Sequence, residues 1–171
     1  MGINPFLAKP PLLLLDFDGV INATRPPWGA APYRDSVAAS NGVTYRVRWA
    51  PELTNRLAQL HLAGRLEIVW CSTWCSDTLG LERVLGWPPL GSAFSHLGAK
   101  VHAGDAKLKA VEHALTSGRR VIWADDTEVP DPESELYARL QAAGECLLIR
   151  PAGRQGLARE HLAAIEGFCG V

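Results

Sequence analysis

"PLLLLDFDGVIN", Pro11 to Asn22, ends an uninterrupted leucine run in two carboxylates, Asp16 and Asp18. Four consecutive leucines have no polar side, so the run reads as a strand covered on both faces, the habit of parallel sheets between helix layers. Two acids one residue apart are out of place there unless they hold something in common. Gly19 then permits a sharp exit. Asp and Gly after a strand also make an ordinary turn, so this stretch alone divides evenly between a turn and a site. The ends of the other strands decide.

Three more apolar runs read as buried parallel strands: "LEIVWC" at 66–71, "RVIWAD" at 120–125 and "CLLIR" at 146–150. Helical patterns lie between and after them. "PELTNRLAQLHLAG" opens on Pro51 and stops at Gly64, and "DAKLKAVEHALTSG" runs from Asp105 to Gly118. "DPESELYARLQAAG" takes Asp131 as N-cap and ends at Gly144. "GLAREHLAAIEGF" forms a last amphipathic helix. Strands alternating with helices of this length predict a three-layer α/β sandwich around a central parallel sheet. A further strand between the second and third runs has only "PLGSAFSHLG" to draw on, and its glycines make it a poor one.

One piece breaks the alternation. "PYRDSVAAS-NG-VTYRVRW" carries the strongest short hairpin signal, Asn41-Gly42, with Thr44, Arg46 and Arg48 alternating against Val43, Tyr45, Val47 and Trp49. A hairpin flap inserted at about 25–49 overhangs the carboxyl edge of the sheet, where open α/β folds bind ligands.

At that edge the second strand leaves Ser72 and Thr73, and the third leaves Asp125 and Asp126. Lys107 lies early in the helix that leads into the third. Carboxylate oxygens suit Mg²⁺, which prefers few protein carboxylates, several waters and substrate phosphate. A hydroxyl and an ammonium suit the remaining phosphate oxygens. Spacing leaves Lys100 and Lys109 as alternatives to Lys107, and Thr73 as an alternative to Ser72. Asp77 reads as the cap of the helix "TLGLERVLG", and His96 and His102 as polar surface. Trp70 and Trp123 fall inside strands and read as core. Trp28, Trp49 and Trp74 either line a substrate cleft with Arg25, Arg34, Arg46 and Arg48 or pack the hairpin's underside; the two readings weigh equally.

The order of these groups resembles the four motifs of the haloacid dehalogenase (HAD) superfamily, from Leu12 to about Arg150. "VWCSTW", "AKLKAV", "VIWADD" and the closing "IRPAGRQGLAREHL" look like the small HAD domains grouped with Swiss Army Knife RNA-repair proteins. The resemblance implies a Rossmann-like domain over 1–171 with a small hairpin flap and no large cap. It implies Mg²⁺-dependent phosphomonoester hydrolysis. Asp16 would be the nucleophile and Asp18 the acid and then base. Ser72 and Lys107 would hold phosphoryl oxygens. On the cleft reading of the hairpin, Thr73, Arg46, Arg48 and Trp74 contact substrate. Asp16, Asp126, Asp125 and the backbone carbonyl of Asp18 would hold the metal. A second aspartate in the first motif argues for phosphorus chemistry over dehalogenation. An open site favours a nucleotide, a nucleic-acid end or another bulky phosphomonoester. Two other readings stay alive: a small-molecule nucleotidase lidded by a homodimer or partner protein, and a non-catalytic phosphate-binding or interaction module.

Composition sets the frame. The chain has 171 residues, 47% hydrophobic and 20% charged, enough for one sizeable core. A net charge of −1 gives no global basic field for nucleic acid or anionic membrane. Four cysteines without paired spacing (Cys71, Cys75, Cys146, Cys169) read as reduced thiols in a cytoplasmic protein. The apolar run after Lys9 is too short for a secretory signal, and no stretch reaches the length of a membrane span.

Overall fold

The computed structural model describes residues 9–98 and 100–171. Strand β1 (Leu12–Leu15) lies at the centre of a five-stranded sheet. It is flanked by β4 (Glu67–Trp70) and β6 (Val121–Ala124), with β5 (Gly91–Ser92) and β7 (Cys146–Ile149) outside them. The order is β5-β4-β1-β6-β7, and each pair is parallel. β5 is the two residues that "PLGSAFSHLG" yields. Its glycine leaves little side chain to pack.

Alternation along β1 explains the leucine run. Leu13 and Leu15 join a cluster with Ile68, Trp70 and Ile122, closed by Leu53 and Leu57 of α1 (Pro51–Leu62) and Ile165 of α5 (Arg159–Cys169). Leu12 and Leu14 face the other way, onto Val111 and Leu115 of α3 (Ala103–Thr116) and Leu140 of α4 (Glu135–Ala142). Both faces of the strand are covered, so no position along it needs a polar side chain. Trp70 and Trp123 are core, as their strand positions require.

Two helix starts differ from expectation. α3 begins at Ala103, a turn's fraction before Asp105. α4 begins at Glu135 with Ser134, not Asp131, as its N-cap: the Ser134 hydroxyl accepts the Tyr137 N–H at 3.2 Å. The Asp131 carboxylate instead accepts the Glu133 N–H at 2.9 Å, turning the chain one step earlier. Local sequence offered two capping residues three apart, and the outer one took the turn.

The hairpin pairs β2 (Tyr33–Ala38) with β3 (Thr44–Trp49), antiparallel, and Gly42 takes the left-handed conformation at the turn (φ 81°). Val37, Val47 and Trp49 are buried, whereas Arg34 and Arg46 on the opposite face are exposed. Two polar ties hold the hairpin at its ends. The Arg48 N–H donates to Asn22 Oδ1 at 2.9 Å, and the Ser40 N–H and hydroxyl donate to the Asp77 carboxylate at 2.7 and 3.2 Å. Asp77 does stand at the N-cap position of α2 (Thr78–Leu85), but its side chain caps nothing there. The hairpin tip has claimed it. Asp77→Ala should therefore leave α2 in place, cost roughly 1 kcal/mol and speed amide exchange at Ser40 and Val43 in preference to the sheet. Hydrogen exchange followed by NMR checks the order.

Candidate active site

Three strands end side by side at one edge, and each delivers a polar group. The Asp16 N–H still bonds the Ala124 carbonyl at 3.0 Å, so the first acid continues the ladder. Phe17 is wholly buried, its ring edge-on to Trp70 and Trp74. It anchors the two acids on either side of it. Asp16 is buried and Asp18 exposed because the chain turns away in between: the Ile21 and Asn22 N–H groups both return to the Phe17 carbonyl at 2.9 Å.

Lys107 is the hub. From the second turn of α3 its ammonium donates to Asp16 Oδ2 at 2.7 Å and to Asp125 Oδ2 at 2.6 Å, and all three side chains are buried. Lys100 and Lys109 are exposed. Burial opposes the charge on Lys107, but Asp16 and Asp125 outweigh it and hold the ammonium above its usual range. Asp16 moves the opposite way. Burial and then the Asp125 charge push it up to about 6, against the pull of Lys107 and a hydrogen bond from Ser72. Ser72 is buried beside Asp16, and Thr73 is exposed.

Neighbouring acids on the third strand have different surroundings. Asp125 is saturated: Oδ2 takes Lys107, and Oδ1 takes the Thr127 N–H and hydroxyl at 3.0 and 3.2 Å and the Glu128 N–H at 2.8 Å. Asp126 is half-buried and raised by burial first and Asp125 second. Its carboxylate occupies space that two glycines leave open. A Cβ at Gly19, which has φ 73°, or at Gly153 would fall on it.

Oxygens of Asp16, Asp125 and Asp126 lie within 4.8 Å of one another. An all-carboxylate donor set of this compactness fits a hard divalent cation. Lys107 leaves Asp126 open, whereas the second oxygen of Asp16, Oδ1, accepts the Phe17 N–H at 2.7 Å. The Cys71 thiol nearby is buried and pushed up to about 12, mainly by that burial, so it stays protonated.

Asp18 sits outside this buried group, where its Oδ2 accepts the Trp74 indole N–H at 2.8 Å and its Oδ1 the Asn22 amide at 2.7 Å. Trp74 thus reaches the site, while Trp49 is buried on the hairpin's inner face and Trp28 is buried against the start of α5, its indole N–H donating to the Leu157 carbonyl at 2.8 Å. A recess of about 190 Å³ opens beside Asp18, lined by Thr73, Trp74, Tyr45 and Asp77. Arg46 and Arg48 do not line it; they belong to the hairpin face opposite Tyr45. A larger groove of about 550 Å³, lined by Leu12, Val69 and Arg119, lies at the amino ends of the strands, away from the acids. Sequence reasoning passed over Asn22 and Gly153. Asn22 left a faint signal as the polar residue in "GVINA". Gly153 left none, since its importance comes from a residue 27 positions earlier.

Acids after the first strand, a hydroxyl after the second, a lysine and then a second acid pair run along this chain in the order of the HAD superfamily. Within it, the family model for the HAD domain in Swiss Army Knife RNA repair proteins matches residues 12–162, and the chain belongs to that family. No curated protein matches it. Among solved structures, a hypothetical protein from Xanthomonas campestris is similar at 16% identity and a TM-score of 0.49, over 99% of this chain and 94% of that one.

The raised Asp16 carboxyl has a consequence for stability in metal-free protein. An unfolded Asp titrates near 3.8, so the folded state holds the extra proton between about pH 4 and 6. Stability from this group is therefore full below the unfolded value and lost as pH rises through 6, by about 3 kcal/mol for a shift of that size. Denaturant unfolding in chelator should show wild type losing stability relative to Asp16→Asn from pH 4 to pH 7, and no such divergence above pH 7.

Proposed function

We propose that this protein is a Mg²⁺-dependent phosphomonoesterase that works through an aspartyl-phosphate on Asp16. The observation that carries the reading is the buried Lys107 ammonium shared by Asp16 and Asp125, with Asp126 left open beside them. An ion-paired nucleophile aimed out of a sheet edge has no structural purpose that an apolar residue would not serve better.

Each group then has one task. An Asp16 oxygen attacks phosphorus, and the bond from phosphorus to the ester oxygen breaks. Asp18, protonated, gives its proton to that leaving oxygen. Asp18, now ionised, takes a proton from water as the water oxygen attacks the phosphorus. Inorganic phosphate leaves and Asp16 is restored. Lys107 has three N–H donors and spends two on carboxylates, so the third is free for a phosphoryl oxygen; the Ser72 hydroxyl supplies another donor. A bound Mg²⁺, held by Asp126, Asp16 and the Asp18 carbonyl with Asp125 in support, supplies charge neutralisation at the phosphoryl oxygens. No helix among the described residues is long and apolar enough to cross a membrane. The family's association with RNA repair and the open recess at Asp18 support a nucleic-acid end or a nucleotide. A small-molecule reading needs a second subunit or partner to cover the recess.

Asp16→Asn should abolish turnover of a phosphomonoester while the protein stays folded. Chelation should stop wild-type turnover, and Mg²⁺ should restore it. Asp126→Ala should raise the Mg²⁺ concentration required more than Asp125→Ala does. Colorimetric phosphate release across sugar phosphates, nucleotides, phosphopeptides and end-phosphorylated oligonucleotides reads all of this. An active Asp16→Asn protein counts against the nucleophile, and wild type inert on every ester favours the non-catalytic module.

The hairpin bears on substrate size. Arg34 stands directly across from Arg48, with Arg46 on the same face, and none of the three is ion-paired among the described residues. Like charges facing each other across two strands repel, and a polyanion relieves that. Replacing Arg46 and Arg48 with Ala should raise KM for a long phosphorylated oligonucleotide. It should also flatten the salt dependence of KM, by up to about 1.4 in logarithmic slope for two lost phosphate contacts on a single strand. Turnover of a small ester should hardly change. KM measured from low to moderate salt on both substrates checks it.

A further inference from the structure

The Asp18 carboxylate is exposed, yet neither of its oxygens is left to water alone. A side chain with two torsions ordinarily samples several rotamers at a surface. Here the Trp74 indole N–H takes Oδ2 at 2.8 Å and the Asn22 amide takes Oδ1 at 2.7 Å. Both donors are fixed from behind. Trp74 is buried, with Phe17 edge-on at 5.8 Å on one side and Tyr45 of β3 at 5.1 Å on the other. Asn22 has its amide orientation dictated by the hairpin: the Arg48 N–H can only donate, so Oδ1 must face it at 2.9 Å, which leaves Nδ2 for Asp18. Two independent routes therefore run from β3 to the same carboxylate, one through a backbone N–H and one through a ring.

We propose that Asn22 and Trp74 are positioning residues that aim Asp18 at the leaving oxygen, and that the hairpin sets their grip. The inference rests on the phosphomonoesterase reading above and goes further, because it assigns the hairpin a part in proton delivery as well as in substrate contact. Among the described residues, neither side-chain donor bonds Asp16, Asp125 or Asp126. Each carboxylate oxygen keeps a second acceptor position, so the clamp orients the acid without consuming it. A group held off its mark by an ångström loses much of its effect, on the order of 10²-fold.

The leaving group distinguishes aim from architecture. Phenyl phosphate needs its departing oxygen protonated, and 2,4-dinitrophenyl phosphate does not. In Asn22→Ala, whose side chain does not line the recess, kcat/KM for phenyl phosphate should fall roughly 10- to 100-fold, while that for the dinitrophenyl ester stays near wild type. In Trp74→Phe, kcat for phenyl phosphate should fall more than kcat for the dinitrophenyl ester, whatever happens to KM. Tyr45→Ala removes a ring that is 41% exposed and lies outside the buried cluster, so it keeps the fold. It should give a smaller loss with the same ester selectivity. Equal losses on the two esters in all three variants, or no loss on either, overturn the proposal. Wild type with Mg²⁺ that hydrolyses neither ester overturns the phosphomonoesterase reading and this one with it; an active wild type with ester-independent losses overturns this one alone.

Discussion

Everything at the carboxyl edge of the sheet depends on one buried ammonium. Lys107 stands between Asp16 and Asp125 at 2.7 and 2.6 Å, and the three side chains together carry one uncompensated negative charge. Taking any of them out of water alone is costly, and removing the cation would leave two buried carboxylates facing each other, a loss of about 3–5 kcal/mol by the usual measure of broken buried pairs. The bridge also has an architectural effect. Asp16 follows β1 and Asp125 follows β6, adjacent strands of the sheet, and Lys107 comes from α3 on one of its faces. The ion triad therefore fastens a helix layer to the strand ends at the one place where the apolar clusters stop.

The same edge shows how adjacent acids acquire separate duties from backbone alternation. Asp125 continues the line of β6 and turns inward, where Lys107 and the Thr127 and Glu128 donors saturate it. Asp126, one step on, faces outward into the space beside Gly19 and Gly153. Saturation commits Asp125 to the protein's own donors and leaves the Asp126 carboxylate the more open of the two. Asp16 and Asp18 divide similarly. Phe17 is pinned in the core between them, so one acid stays with the sheet and the other leaves with the loop.

The strands and the hairpin were legible in the sequence because their causes are local. A leucine run covered on both faces needs no partner to be recognised, and Asn41-Gly42 specifies its turn by backbone conformation alone. The acids, Ser72 and Lys107 were legible as a set because parallel strands bring their ends to one edge. What escaped were choices between partners. Asp77 had a cap beside it and a hairpin tip 37 residues away, and the distant Ser40 N–H and hydroxyl won. Trp74 weighed equally as cleft wall and as packing, and it is both: a buried ring whose single polar atom reaches Asp18. Asp131 lost its helix to Ser134 through competition among turn residues within four positions. In each case the deciding group lies in tertiary space or in a near-degenerate local choice, which residue type alone does not rank.

The hairpin's two faces carry a longer consequence. Its inner residues grip the core and, through Asn22 and Trp74, reach the Asp18 carboxylate; Arg34, Arg46 and Thr44 on its outer face are exposed. Mutational drift on the outer face is thereby insulated from the carboxylates. Those side chains can be exchanged one at a time while the packing beneath them and the carboxylate edge stay as they are. Such an arrangement lets one face of the two strands vary independently of the other.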